Sequence, residues 1–386
     1  MSENCSGGTS ASVPEAGVAA TAEAAPVAEA VAVPDAAGVP DASAAPGSLR
    51  RAGRERGPGP ALLEIADLTL RLPGAARPVL DSVSLTVAPG EVVALVGESG
   101  SGKSTTAKAA LGLFPAGAVA SGSVRFDGTE VLGLTGERLR AHRADGVALV
   151  HQDPRAALNP VRRVGDFLVE RGASRSEAVE LLASVGLADP ARRVRQRPHE
   201  MSGGMLQRVV IAGALAARPR LLLADEATSA LDVTTQADIL ALLRALRAEH
   251  GLALLFITHD LHLAAAYSDR VYVMYAGRVV ESRTASALFT APAHPYTRSL
   301  LTCSPTLSDT PAPLHPIPGR PPSLSDTFPG CPFAQRCPDA EEGCETWLPA
   351  PAPLPDGGTA ACALLLDPPV GPAPSHGADT DKVSHA

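Results

Sequence analysis

An apolar run, EVVALV, feeds into GESGSGKS (Gly97–Ser104), and a helical stretch, TTAKAALGL, follows. The loop fits the pattern G-x-x-x-x-G-K-S/T completely and constrains the fold more than any other stretch of this 386-residue chain. A strand that delivers such a loop to a helix start belongs in an α/β sheet, with the loop at the strand's C-terminal edge. Gly97, Gly100 and Gly102 let backbone N–H groups converge on an anion, and Glu98, Ser99 and Ser101 fill the variable positions. The positive end of the following helix favours the same charge. Lys103 is placed to reach the outer phosphates of a nucleotide, the Ser104 hydroxyl to ligate Mg²⁺, and Thr105 opens the helix behind them. The loop implies a nucleotide grip without choosing among kinases, GTPases, motors and transport ATPases.

Around that centre the chain has room for one large α/β domain and something smaller. Its net charge is −8, but residues 1–49 hold six acidic residues and no Lys or Arg, so the remainder carries only −2. Nothing in that balance suggests nucleic acid. No apolar run approaches 18 residues, and the N-terminus lacks the basic and apolar regions of a secretory leader. Residues 1–60 are Ala/Pro-rich and aperiodic; disorder is expected there, and their removal should leave nucleotide hydrolysis intact. From Leu62 onward LEIADLTLRL, SVSLTV and EVVALV read as strands, with SVRFDG and GVALVHQ after the loop. Residues 153–218 turn helical; LLLAD, LALLFITHD, RVYVMYAG and GRVVES then read as strands, with a helix at DILALLRALRAEHG. Buried strands alternating with helices imply a largely parallel sheet covered on both faces. Prolines and four cysteines crowd the segment after about Thr302, which reads as a separate irregular module, and residues 366–386 read as a second disordered tail.

LLLADEATSALD (Leu221–Asp232) ends an apolar strand on Asp225 and Glu226. One carboxylate there can serve the metal shell and the next can take a proton from an attacking water. Gln152 closes GVALVHQ at another strand end, and His259 closes FITHD, where an imidazole can meet a γ-phosphate although a lone histidine is more often structural. MSGGMLQR (Met201–Arg208) opens a helix with Ser202, Gly203 and Gly204, a second anion-binding terminus roughly 100 residues from the first. Two such termini in one chain suggest two chains holding nucleotide between them.

These motifs occur in the order and spacing of ATP-binding-cassette ATPases, and the chain resembles that family from Leu62 to roughly Leu365. VHQDPRAALNP, SGGMLQRVVIA, HPYTRSLL and the tail PIPGRPPSLSDTFPGCPFAQRCPDAEEGC are similar to the ATPase subunits of oligopeptide and dipeptide permeases. The resemblance implies an α/β P-loop ATPase with an antiparallel β subdomain, a helical signature subdomain and a small C-terminal cysteine module. In residue terms it implies domains at 61–290 (helical part 153–218) and 291–365. It further implies ATP with Mg²⁺ on Gly97–Thr105, metal contacts from Ser104, Gln152 and Asp225, water activation by Glu226 and a γ-phosphate contact by His259. Ser202–Gly204 would face nucleotide on an opposite ATPase subunit, and Ser229–Asp232 would cross that interface. The implied partners are a second ATPase, two transmembrane permease subunits and an extracytoplasmic solute-binding protein, with this chain on the cytoplasmic membrane face. A nickel or oligosaccharide importer, or a soluble non-transport ATPase of the same family, is the alternative reading. Three positions depart from the pattern: Met201 and Met205 replace the commoner Leu and Gln, and Leu206 stands where the group often has a basic residue. In addition, no aromatic lies between Leu62 and Leu80 to stack on adenine; Leu72 is the nearest positional candidate.

The cysteines run Cys331-x5-Cys337-x6-Cys344-x17-Cys362, without the C-x2-C pairs of a zinc ribbon. Spacing alone leaves an iron–sulfur cluster, zinc and free thiols open. The resemblance implies a 4Fe–4S cluster on these four thiols, with a structural or redox-regulatory role. Cys5 and Cys303 fall outside the spacing and read as plain thiols.

Overall fold

The computed structural model describes residues 60–226, 233–303 and 316–365. The expected tails at 1–60 (apart from Pro60) and 366–386, and Ser229–Asp232, lie outside them. Strands β1 (Leu63–Arg71), β2 (Leu80–Val87) and β3 (Val92–Val96) lead to helix α1 (Lys103–Ala109), and β4 (Val119–Phe126) and β5 (Thr129–Glu130) follow. After α2 (Gly136–Asp145) and β6 (Val147–Val150) come five helices: α3 (Pro154–Ala157), α4 (Val164–Glu170), α5 (Arg175–Ser184), α6 (Pro190–Arg193) and α7 (Gly203–Ala216). They occupy the stretch read as helical. The chain then alternates through β7 (Leu221–Asp225), α8 (Val233–His250), β8 (Ala253–Thr258) and α9 (Leu261–Tyr267). The hairpin β9 (Arg270–Tyr275) and β10 (Arg278–Thr284) precedes α10 (Ala285–Thr290), α11 (Pro295–Cys303) and two short strands, β11 (Ala352–Pro353) and β12 (Thr359–Ala360).

The main sheet runs β11-β12-β10-β9-β3-β8-β7-β6, parallel from β9 to β6 and antiparallel across β10, β12 and β11. A second, antiparallel sheet runs β2-β1-β4-β5. β3 and β8 are buried at every position, as strands covered on both faces must be. Alternate residues divide between two cores. Val92, Ala94, Val96, Leu254 and Phe256 face the helical side, while Val93, Leu95, Ala253, Leu255 and Ile257 face α1 and the antiparallel sheet. Leu206 and Met201 are buried in the helical-side core and Met205 packs against it, so all three departures sit in apolar packing. Parallel strands thus end together on one edge, where the loops after β3, β6, β7 and β8 carry the expected site residues.

The cysteine segment packs onto this body through a strand pairing and a ring cluster. Its Thr359 and Ala360 pair with Ser282 and Glu281 of β10, extending the main sheet. Phe333 is 1% exposed and meets the rings of Tyr275 and Tyr296 at 5.2 Å each. Burying such a ring stabilises the docking by about 2–3 kcal/mol. The prolines and short turns of this segment carry no periodicity, which hid its strands from a sequence reading.

One buried polar knot ties the hairpin to α11. The fully buried Glu281 carboxylate accepts N–H bonds from Ala293 and His294 at 2.8 and 2.9 Å, and His294 Nδ1 accepts from the Tyr296 N–H at 3.0 Å. Burial lowers the His294 pKa to about 4. The folded state therefore excludes a proton that the unfolded chain binds below its ordinary value near 6.5. Stability is complete above that pH and falls as pH drops from about 6.5 towards 4, by on the order of 3 kcal/mol from this group. Thermal unfolding of the native chain and of His294→Gln across this range tests it: the variant should show the shallower acid slope, and equal slopes would remove His294 from the cause.

Candidate nucleotide site

The phosphate loop is shaped by positions where only glycine fits. Gly97 has φ +154°, and a Cβ there would sit 2.2 Å from the Met274 carbonyl oxygen. Gly102, at φ +103°, caps α1, and its Cβ would meet Leu80 Cδ2 at 2.7 Å. Gly277 N–H donates to the Ser101 carbonyl at 3.0 Å, which ties the loop to the β9–β10 turn. Lys103 is only 6% exposed, and its Nζ donates to the carbonyls of Gly97 and Glu98 at 2.7 and 2.8 Å. Burial pushes this ammonium below the ordinary lysine range, opposed by the carboxylates of Glu226, Asp225 and Glu98. Lys103 is thus a desolvated cation held by neutral carbonyls.

Ser104 Oγ donates to Asp225 Oδ1 at 2.6 Å, so the loop hydroxyl and the β7 carboxylate converge. Hard oxygen donors of this kind fit Mg²⁺. Glu226 follows with φ +45°, a left-handed conformation that costs a non-glycine residue about 1 kcal/mol. Its N–H donates to the Ile257 carbonyl at 3.2 Å. Gln152 Nε2 donates to Glu226 Oε2 at 3.1 Å, and His259 Nδ1 stands 4.0 Å from Glu226 Oε1. Three strand ends therefore meet at one carboxylate.

A cleft of about 490 Å³ is lined by Ser99, Gly100, Gly102–Thr105, Gln152 and Glu226, whereas Asp225 and His259 do not line it. Its far wall is Arg77 and Val79 with Pro322, Ser323 and Leu324. Leu72, the sequence's candidate for the base, does not line it. Arg77 fixes this wall: its Nε donates to the Ser323 carbonyl at 2.9 Å and its Nη1 to the Ala276 carbonyl at 2.9 Å, while Ala76 N–H reaches the Leu324 carbonyl at 3.1 Å. The apolar surface beside the loop thus comes from Val79 and Leu324, some 245 residues apart in the chain. No local pattern signals that pairing.

Ser202 caps α7, accepting the Met205 N–H at 3.4 Å, and lies exposed. Neither it nor Gly203 or Gly204 lines the cleft.

The four cysteines gather in one region. Cys331 N–H donates to the Cys344 carbonyl at 2.8 Å, and ionisation of Cys331, Cys337 and Cys362 is disfavoured by neighbouring cysteines. Burial raises the thiols of Cys331 and Cys362 and pushes Cys337 up to about 11. All four are free thiols. Among the described residues, however, no three Cys, His, Asp or Glu side chains stand in a metal-holding arrangement. The donor chemistry of four sulfurs fits a cluster, and their present arrangement is looser than a ligand set.

The family model described as ABC transporter matches residues 80–229, and that for the oligopeptide/dipeptide transporter C-terminal region matches residues 280–344. The oligopeptide transport ATP-binding protein OppD of Salmonella typhimurium is 44% identical over 306 residues, covering 76% of this chain and 91% of the relative. The chain belongs to the ATP-binding-cassette transporter ATPases. OppD of Mycobacterium tuberculosis is 48% identical over 314 residues, which are 78% of this chain and 51% of that relative, so the chain spans about half the mycobacterial protein. The dipeptide transport ATP-binding protein DppD of Bacillus subtilis is 41% identical, covering 75% of this chain and 90% of its own length. Among solved structures, a dimeric post-hydrolysis state of the cassette MJ0796 bound to ADP and Pi superposes with TM-score 0.51 at 30% identity, covering 58% of this chain and 98% of that one. Members of this family are ATPases that act on ATP with Mg²⁺, and the α/β fold with its added antiparallel sheet is theirs. No described helix is long and apolar enough to cross a membrane.

Proposed function

We propose that the chain is the ATP-hydrolysing subunit of an importer for oligopeptides or dipeptides, acting at the cytoplasmic face of the membrane. The observation that carries this reading is the convergence of Lys103, Ser104, Gln152 and Glu226 in one cleft, with Asp225 hydrogen-bonded to Ser104, while the Ser202 turn stays outside it. In this reading Gly97–Thr105 hold the triphosphate, with Ser104, Asp225 and Gln152 around Mg²⁺. Glu226 takes the proton of the attacking water, His259 contacts the γ-phosphate, and Val79 and Leu324 cover the base. Ser202, Gly203 and Gly204 close over nucleotide held by a second ATPase subunit. Closure and reopening of such a pair supply differential binding to two states, which drives alternating access in two transmembrane permease subunits fed by a solute-binding protein. Peptide cargo is supported by the relatives' names and by the match to the oligopeptide/dipeptide C-terminal region.

Cys331, Cys337, Cys344 and Cys362 are proposed to hold a 4Fe–4S cluster, four free thiols in one segment being the donor set such a cluster takes. Bound there, the cluster would supply structural or redox-sensitive cross-linking of the segment.

Cells deprived of this chain should lose uptake of radiolabelled short peptides and regain it with the native gene, whereas Glu226→Gln should not restore it. Unchanged peptide uptake with loss of another solute would refute the cargo. The same preparation, purified without oxygen, should be brown and hold about four iron atoms per chain; stoichiometric zinc would refute the cluster.

A further inference from the structure

The phosphate loop carries a negative charge of its own, the carboxylate of Glu98. Its field reaches Lys103, the cation meant for the nucleotide. An unpaired carboxylate here would repel a triphosphate. It is not unpaired. Arg336 holds both oxygens, Nη1 to Oε2 at 2.6 Å and Nη2 to Oε1 at 2.9 Å, across 238 residues of sequence. Arg336 is 7% exposed and donates as well to the Pro318 carbonyl at 2.7 Å and the Tyr275 hydroxyl at 3.2 Å. The Glu98 N–H donates to the Tyr296 hydroxyl at 2.9 Å, and its carbonyl accepts from Lys103. Glu98 is thus gripped at side chain, N–H and carbonyl by three separate elements.

The arginine's own support is what gives this contact meaning. Arg336 sits in CPFAQRC, with Cys331 at one end and Cys337 following it directly. The turn Ala334–Arg336 is closed by bonds from Arg336 N–H to the Phe333 carbonyl and from Cys337 N–H to the Ala334 carbonyl. The guanidinium can stay on Glu98 only while that short turn, which Cys337 follows directly and Cys331 precedes by three residues, keeps its shape.

We propose that Arg336 is a positioning residue for ATP binding. It cancels the Glu98 charge and fixes the phosphate loop, so the state of the cysteine segment sets the loop's affinity for nucleotide. The inference rests on the reading that Gly97–Ser104 hold ATP.

Equilibrium titration of the full chain with a fluorescent ATP analogue tests it. Arg336→Met should weaken binding about tenfold, since a buried charge-assisted fork is lost and the repelling carboxylate is released. Adding Glu98→Gln to that variant should recover most of the affinity, because the repulsion is gone. Cys331→Ser/Cys337→Ser should show the same weakening and the same recovery with Glu98→Gln. Recovery also shows that each chain is folded. Wild-type affinity in Arg336→Met, or weakening that Glu98→Gln leaves unrelieved, would overturn the proposal. Lys103→Met serves as the separate control: undiminished binding there would refute the loop reading instead.

Discussion

Glu226→Gln is expected to lower ATP turnover about a thousandfold while leaving nucleotide binding intact, the size of effect that loss of a positioned general base produces. The reason lies in how the residue is held. β7 ends at Asp225, and the chain turns through a left-handed conformation at Glu226, anchored by its N–H to Ile257 of β8. That turn separates the two acids: Asp225 goes to Ser104, and Glu226 goes to Gln152 and the neighbourhood of His259. Glutamine keeps the shape and the hydrogen-bonding reach but cannot accept a proton from water. Single-turnover hydrolysis alongside nucleotide titration separates the two effects. A native rate in the variant would remove Glu226 from the chemistry, and lost binding would make it a binding residue.

Lys103→Met is expected to act at the other end of the cycle, lowering ATP affinity about a hundredfold. Its effect on the free protein should be small or stabilising. Lys103 is desolvated and rests on two neutral carbonyls, so the folded chain bears a burial cost that only a phosphate fully offsets. Thermal unfolding reads both consequences. Ligand at a hundred times its Kd stabilises the native chain by about 2.7 kcal/mol, and the variant should lose that shift while melting without ATP no lower than the native chain. An intact ATP-dependent shift in the variant would contradict the role of Lys103.

Much of this site was legible in the sequence because its parts are local. The β3–loop–α1 unit follows from five buried apolar residues, the loop glycines and a helix start in one continuous stretch. Asp225 and Glu226 were found because an apolar strand ends on them, and Ser202 because it caps a helix before two glycines. The unread parts join distant segments. Arg336 and Glu98 lie 238 residues apart, and the Val79–Leu324 wall depends on Arg77 capturing the Ser323 carbonyl. Such pairs leave no periodicity, since one partner sits in a proline-rich segment shaped by turns and the other in a loop. The same cause hid the pairing of Thr359 and Ala360 with the main sheet. Leu72 was chosen by position, and the cleft is lined instead by Val79 and Leu324. Ser229–Asp232, expected at a subunit interface, lie outside the described residues.

The proposal that each ATP is shared between this chain's loop and another chain's Ser202 turn is tested most directly by the hydrolysis rate per molecule as protein concentration is lowered. Light scattering on the same samples fixes the mass. The expected result is a rate that collapses as the chain becomes monomeric, and that returns when a paired ATPase subunit is added. A constant rate per molecule in solutions shown to hold only monomer would contradict it.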